Sequence, residues 1–110
     1  MALTRDFKET IKARAEHDSA FRKELLIEGI ESLLSGDMNT GKAVLRDYIN
    51  ATVGFAELAE VIERSPKSLM RMLGPAGNPQ AQNLFDIVAY LQEKEGVHLR
   101  VKAARAYAGC

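Results

Sequence analysis

The chain has 110 residues, of which 46% are hydrophobic and 27% charged, a balance typical of one folded domain and not of a disordered chain. Its 15 basic and 15 acidic residues cancel, which excludes a uniformly basic nucleic-acid coat and requires any nucleic-acid site to be local. One cysteine, Cys110, excludes an internal disulfide and favours a reducing cytoplasm, and the sequence shows neither an apolar signal core nor an apolar run of membrane length.

Two amphipathic helices are predicted in the first third of the chain. The first covers residues 4–16 with Thr4 as its cap, and its apolar face consists of Phe7 and Ile11. Asp18 caps the second, which ends at Gly36. Gly29 lies inside it, and because glycine lowers helix stability we expect it to mark close packing against a neighbour. The apolar residues recur every three or four positions: Phe21, Leu25, Leu26, Gly29, Ile30, Leu33 and Leu34.

Two further helices follow in the middle of the chain. Asp37 or Asn39 opens the third and Gly54 ends it, with a buried stripe of Val44, Leu45, Tyr48 and Ile49. The fourth covers residues 55–64, and its apolar positions are Phe55, Leu58, Ala59 and Ile62. The short spacing between these helices indicates one domain without a linker.

A long helix and a tail of different character complete the chain. Asn78 is the predicted cap of the helix, Pro79 its first residue and Gly96 its end, with Leu84, Ile87, Val88 and Leu91 facing the core. In the tail, Val97, Leu99 and Val101 alternate with polar residues, which is the period of a strand. We expect an all-α domain of five or six helices over residues 1–96, and a tail over residues 97–110 with a short strand.

The segment "RSPKSLMRMLGPAGNP", residues 64–79, holds three basic residues and no acid. Ser65 as cap and Pro66 as first residue are two independent signals for the start of a short helix. Residues 55–73 therefore have the layout of a helix-turn-helix: a supporting helix, a tight turn near residues 63–65, and a recognition helix. The small Ala59 allows the two helices to cross closely.

The short helix has an inward face of Leu69, Met72 and Leu73 and an outward face of long or donor-bearing side chains. Such side chains near the start of a recognition helix contact base edges and phosphates, and free N–H groups at helix starts favour phosphate. We expect Lys67 and Arg71 to contact the duplex, Ser68 and Met70 to read base edges and Arg64 to contact phosphate. The complete predicted DNA-binding set is Arg64, Ser65, Lys67, Ser68, Met70, Arg71 and Asn78.

The same pattern has a simpler interpretation, because three basic residues on a helix are usually a solvated face. Glu63 also stands where a turn glycine is common, and Arg64 where an apolar residue is common. Other chemistry is not indicated. His17, His98 and Cys110 lack metal-ligand spacing, no glycine-rich phosphate loop occurs, and nothing in the sequence argues for an enzyme or a cofactor.

The combination "RDYINAT.GF..LA" followed by "SPKSLMRMLGP.GNP" resembles the addiction-module antidote proteins, small bacterial HigA-like antitoxins of the lambda-repressor-like, Xre helix-turn-helix class. The resemblance covers residues 4 to about 96. It implies a DNA-binding antitoxin of a type II toxin–antitoxin module, a transcriptional autorepressor usually encoded beside a RelE-like ribonuclease toxin. It also implies that the recognition helix runs from Pro66 to Leu73.

The expected partners are an operator palindrome in double-stranded DNA, a cognate toxin and a second copy of the chain. A homodimer is expected because two-fold dimers read two half-sites, and pairing of the 97–101 strand with its copy would satisfy both strand edges. Docking of that strand on the toxin and a flexible tail are the alternatives. The alternative functions are an Xre-type regulator without a toxin and a helical protein-interaction module.

Overall fold

The computed structural model describes residues 5–106, with side chains from residue 9 onward. Within this range the chain forms six α-helices and no β-strand. The predicted all-α architecture is thus confirmed, while the Thr4 cap, the Phe7 side chain and Cys110 lie outside the described residues. The helices are α1 Arg5–His17, α2 Ser19–Leu34, α3 Met38–Ala51, α4 Gly54–Ile62, α5 Pro66–Met72 and α6 Ala81–Glu95.

α2 and α3 pack closely against each other, with one glycine from each helix at the contact. A Cβ placed on Gly29 would lie 3.2 Å from Cδ2 of Leu45, and one placed on Gly41 would lie 2.5 Å from Cδ2 of Leu33. A side chain at Gly41 would therefore force the Leu33 side chain to move and would crowd the Gly29 carbonyl, 3.2 Å away. The prediction that Gly29 marks close packing is confirmed, and Gly41 on the opposite helix completes the contact.

One hydrophobic core is shared by α2 to α6. Its buried members all come from the predicted apolar faces: Leu26, Leu45, Tyr48, Ile49, Phe55, Leu58, Ala59, Leu69, Leu73, Leu84, Ile87, Val88 and Leu91. Leu34 was also predicted to lie on the apolar face of α2, but it is 67% exposed. It is rotated by about 100° from Leu33, the residue that faces α3. On α1, Ala15 is fully buried; it was not among the predicted apolar residues, although it continues the spacing of four from Phe7 and Ile11.

The helix starts are set by side-chain caps where the sequence offers them. Oδ1 of Asp18 accepts a hydrogen bond from the Phe21 N–H at 3.0 Å, and Oδ1 of Asp37 accepts one from the Thr40 N–H at 3.2 Å. Asp37, and not Asn39, is therefore the cap of α3. The predicted end of that helix is wrong, because α3 ends at Ala51 and Gly54, with φ of 79°, begins α4 instead.

The predicted start of the last helix is also wrong. α6 begins at Ala81, and Gln80 precedes it without a side-chain cap, so neither Asn78 nor Pro79 has the expected position. The reason lies in the loop before it, where the Gly77 N–H bonds to the Gly74 carbonyl at 3.0 Å and the chain turns back on α5 before a new helix begins. The end of α6 at Gly96, with φ of 73°, agrees with the prediction.

The tail does not form the predicted strand within residues 97–106. The Leu99 N–H donates to the side-chain oxygen of Gln92 at 2.8 Å, and the Val97 N–H donates to the Gln92 carbonyl at 3.0 Å. Val97 and Leu99 pack against the core, while Val101 is 87% exposed. The alternating pattern thus belongs to a segment that covers the end of its own domain, with Val97 and Leu99 turned toward the core and Val101 toward solvent.

No helix within residues 5–106 combines the length and the apolar composition needed to cross a membrane.

Candidate nucleic-acid interface

The turn between α4 and α5 consists of residues 63–65. Glu63 takes the left-handed conformation, with φ of 60° and ψ of 46°, which glycine adopts most easily. The N–H groups of Glu63 and Arg64 both bond to the carbonyl of Ala59, the second at 3.0 Å. The chain therefore makes the tight turn although a glutamate stands at the position where a glycine is common.

The start and the two faces of α5 agree with the sequence prediction. Oγ of Ser65 accepts a hydrogen bond from the Ser68 N–H at 3.0 Å, and Pro66 is the first helical residue. Leu69 and Leu73 are fully buried, and Met72 packs partly against the core. On the other face three predicted DNA contacts, Lys67, Met70 and Arg71, are exposed, and Ser68 is half-buried.

The surface of α5 is locally basic in a chain that is neutral overall. Residues 64–85 contain three basic and no acidic residues, whereas the rest of the chain contains twelve basic and fifteen acidic ones. The ion pairs seen among the described residues lie elsewhere, and no described carboxylate is seen to pair with Lys67 or Arg71. Lys67 and Arg71 are therefore not held in ion pairs by the described part of the fold.

An open groove of about 400 Å³ lies between α5 and the start of α6. We call it the basic groove, and six of the residues that line it have polar side chains: Arg64, Ser68, Arg71, Asn78, Gln80 and Asn83. The fold thus brings four of the seven predicted site residues into one groove. The other three, Ser65, Lys67 and Met70, do not line it; Ser65 is occupied as the helix cap.

Two amides of the basic groove, Gln80 and Asn83, were not predicted as site residues. Nη2 of Arg64 donates to Oδ1 of Asn83 at 2.9 Å, which leaves the Asn83 amide nitrogen as a donor. Arg64 keeps other N–H donors, since a guanidinium has five. No local sequence signal identified Asn83, because its contact with Arg64 spans 19 residues and depends on how α6 packs beside the turn before α5.

Two cations of α3 hold the same loop from its inner side. Lys42 is only 4% exposed, and its Nζ donates to the carbonyls of Gly74 at 3.0 Å and Gly77 at 2.6 Å. Nη1 of Arg46 donates to the Leu73 carbonyl at 3.1 Å. Neither residue was predicted to belong to the site, although their spacing of four on one helix places them on the same face.

The loop after α5 leaves no room for a side chain at Gly77. A Cβ there would collide with the carbonyl oxygens of Arg71 and Met72. Because these are backbone atoms of a helix, they cannot move aside as the end of a flexible side chain can. Gly77 therefore presses the loop against the last turn of α5 and sets the position of Asn78 at the edge of the basic groove.

The remaining candidate chemistry is sparse in the described part of the chain. His17 and His98 are exposed, and within residues 5–106 no group of three or more His, Cys, Asp or Glu side chains could hold a metal ion. The chain was compared with models of protein families, with curated proteins and with solved structures, and none of the three comparisons found a match.

Proposed function

We propose that the protein binds double-stranded DNA in a sequence-specific manner and inserts α5 into the major groove. The observation that carries the proposal is the pairing of two properties in one short helix. Leu69 and Leu73 are fully buried, whereas Lys67 and Arg71 on the other face are exposed and have no described carboxylate partner. Unpaired cations on the exposed face of a helix, whose other face is held in the core, can bind a polyanion such as DNA.

The outward face of α5 supplies several ways to contact a duplex. Arg71 and Lys67 can donate hydrogen bonds to guanine or to phosphate, and Ser68 can bond a base edge. Met70, 47% exposed, can contact a thymine methyl group. This division gives α5 both the charge for affinity and the side chains for base recognition.

The basic groove adds a second row of donors beside α5. Arg64, Asn78, Gln80 and Asn83 carry guanidinium or amide groups at the edge of the same surface. Groups of this kind usually contact phosphates and so set the register of a protein on DNA. We propose that the groove follows the DNA backbone while α5 reads the bases.

Within DNA-binding proteins, we propose an antitoxin that acts in the cytoplasm. It would repress its own operon and neutralise a RelE-like toxin. This part of the proposal depends on the resemblance of residues 4 to about 96 to the addiction-module antidote proteins. A helix of seven residues meets only a few base pairs, so specific binding calls for a homodimer on two half-sites about one helical turn apart.

The test of DNA binding is a titration of the DNA upstream of the protein's own gene. A contact to a base edge is worth about 1–3 kcal/mol, so a Lys67→Ala, Arg71→Ala double variant should bind about 100-fold more weakly. The matched control is Lys12→Ala, Lys23→Ala, which removes two exposed charges from α1 and α2 and should change affinity only slightly. Equal affinity of the two double variants would contradict the assignment of α5.

The antitoxin role has a separate test. The protein should co-purify with the small product of an adjacent reading frame and should restore growth when that product is expressed. DNA binding without such a partner would favour the alternative of an Xre-type regulator. Binding that is absent at low salt, where phosphate contacts are strongest, would favour a helical protein-interaction module.

A further inference from the structure

We infer that Lys42 and Arg46 are positioning residues, which hold the basic groove in the shape that binds DNA. Lys42 does so without contacting the DNA itself. The inference rests on the proposed function and names residues on α3, outside the helix pair that the sequence indicated. Its basis is the contact of both cations with backbone carbonyls at the end of α5 and in the loop that follows.

Lys42 bonds both ends of a tight turn. Its Nζ contacts the carbonyls of Gly74 and Gly77, the same two residues that are joined by the N–H···O bond of the turn, from Gly77 to Gly74 at 3.0 Å. Since only 4% of Lys42 is exposed, its ammonium group is directed into the protein and not toward a ligand. A lysine in this position stabilises the turn and leaves the outer surface unchanged.

Arg46 extends the contact to α5 itself. Its guanidinium bonds the carbonyl of Leu73, the residue after the last helical position. Carbonyls at a helix end have no partners within the helix and carry partial negative charge. A helix of seven residues is also too short to be stable in isolation, so its orientation depends on contacts such as these.

The carbonyls that accept hydrogen bonds from Lys42 and Arg46 belong to the segment that joins the two sides of the basic groove. Arg71 comes two residues before the contacted segment, residues 73–77, and Asn78 directly after it. Gly77 is already pressed against the carbonyls of Arg71 and Met72, so the loop has one compact arrangement and Lys42 supports it from the opposite side. Loss of Lys42 would let the loop move away from α5 and would change the distance between Arg71 and Asn78.

The test is a Lys42→Met variant, which keeps an unbranched side chain only one atom shorter and removes its hydrogen-bond donors. Arg22→Met is the matched control, because Arg22 is also a partly buried cation but joins α2 to α6 at the other end of the molecule. DNA affinity is measured at a temperature where each variant is folded. We expect Lys42→Met to bind about tenfold more weakly and Arg22→Met to bind as the original protein does.

The salt dependence separates positioning from direct contact. The slope of the logarithm of the binding constant against that of salt concentration should be the same for Lys42→Met as for the original protein, because no phosphate contact is lost. A slope smaller by about 1 would mean that Lys42 contacts phosphate itself, and an unchanged affinity would mean that Lys42 only stabilises the fold. Either result would overturn the inference.

A measurement without DNA keeps the inference separate from the proposed function. Amide hydrogen exchange of residues 71–78 should be faster in Lys42→Met than in Arg22→Met. Equal exchange would show that Lys42 does not hold the loop. If Lys42→Met fails to fold, Arg46→Met takes its place, with a smaller expected loss of affinity and the same exchange comparison. If the original protein binds no DNA, the proposed function fails while the exchange result still decides the role of the two cations in shaping the loop.

Discussion

Charged side chains near the two ends of α6 differ in whether they are paired. At its last residue the side chain of Glu95 is 4% exposed and accepts hydrogen bonds from Nε of Arg22 at 3.0 Å and from the Tyr48 hydroxyl at 2.5 Å. At its start lies the basic groove, where Arg71 is exposed without a described carboxylate partner. The charges at the end of the helix stabilise the fold, and those at its start are available to a ligand.

A second carboxylate strengthens the contrast. Glu57 of α4 accepts a hydrogen bond from the Tyr90 hydroxyl at 2.6 Å and lies 3.3 Å from Nζ of Lys94. Hydrogen bonds from Tyr90 and Lys94 lower the pKa of Glu57, and the same bond raises the pKa of Tyr90 to about 12. Burial, followed by the bond to Glu95, raises the pKa of Tyr48. A neutral total charge therefore conceals a strongly unequal distribution of paired and unpaired groups.

The largest expected effect comes from removing the ion pair between Arg22 and Glu95 at the end of α6. Arg22→Met should lower the free energy of unfolding by about 3 kcal/mol, because it leaves Glu95 buried without its cation. DNA affinity of the folded variant should not change. Denaturant unfolding measures the change in the free energy of unfolding, and titration with DNA measures the affinity. Arg14→Met is the control, since the Arg14 side chain is 63% exposed and its pair with Asp18 and its contact with Phe21 together should contribute less than about 1 kcal/mol.

Ala59→Leu should have the second largest effect and should act on both regions. Ala59 is 4% exposed, and overpacking a site of this kind lowers stability by about 2 kcal/mol. Because the added side chain would displace α5, DNA affinity should fall as well. Ala56→Leu, at an exposed position of the same helix, should be close to neutral. A melting temperature unchanged by Ala59→Leu would show that α4 and α5 do not cross closely at this residue.

Ser65→Ala acts only at the start of α5 and should lower stability less than Ala59→Leu does. Loss of the hydrogen bond from the Ser68 N–H removes the cap of α5, which lowers stability by about 1 kcal/mol. The matched control is Ser19→Ala, because Ser19 is the first residue of α2 but Asp18 provides its cap. Similar thermal midpoints for the two variants would mean that α5 does not depend on its cap.

The smallest effect concerns pH. The raised pKa of Tyr90 means that its contribution to stability is complete below its ordinary value of 10.0 and is lost as the pH rises through about 12. The lowered pKa of Glu57 means that its contribution is present above 4.5 and is lost as the pH falls below that value. Tyr90→Phe should therefore show weaker dependence of the thermal midpoint on pH in both ranges. Identical pH profiles would show that this hydrogen bond has no part in stability.

Much of the candidate site could be predicted because its signals are local. Ser65, Pro66 and the spacing of Leu69 and Leu73 determine where α5 begins and which side is buried. The outward direction of Lys67 and Arg71 then follows from helix geometry. The same reasoning holds for the cap at Asp18, where the acceptor and donor are three residues apart. For α3 it left Asp37 and Asn39 as alternatives, and the structure selects Asp37.

The sequence by itself thus determined which segments are helical, the caps at Asp18 and Ser65 and most of the buried faces, since each depends on residues within one or two turns of one another. Only the tertiary structure decided that Val97 and Leu99 cover the core instead of forming a strand, and that α6 begins at Ala81. It also decided that Arg64 meets Asn83, 19 residues away, and that Lys42 meets carbonyls 32 and 35 residues away. A backbone carbonyl carries no sequence signal, so its partner can be identified only when packing brings the two segments together.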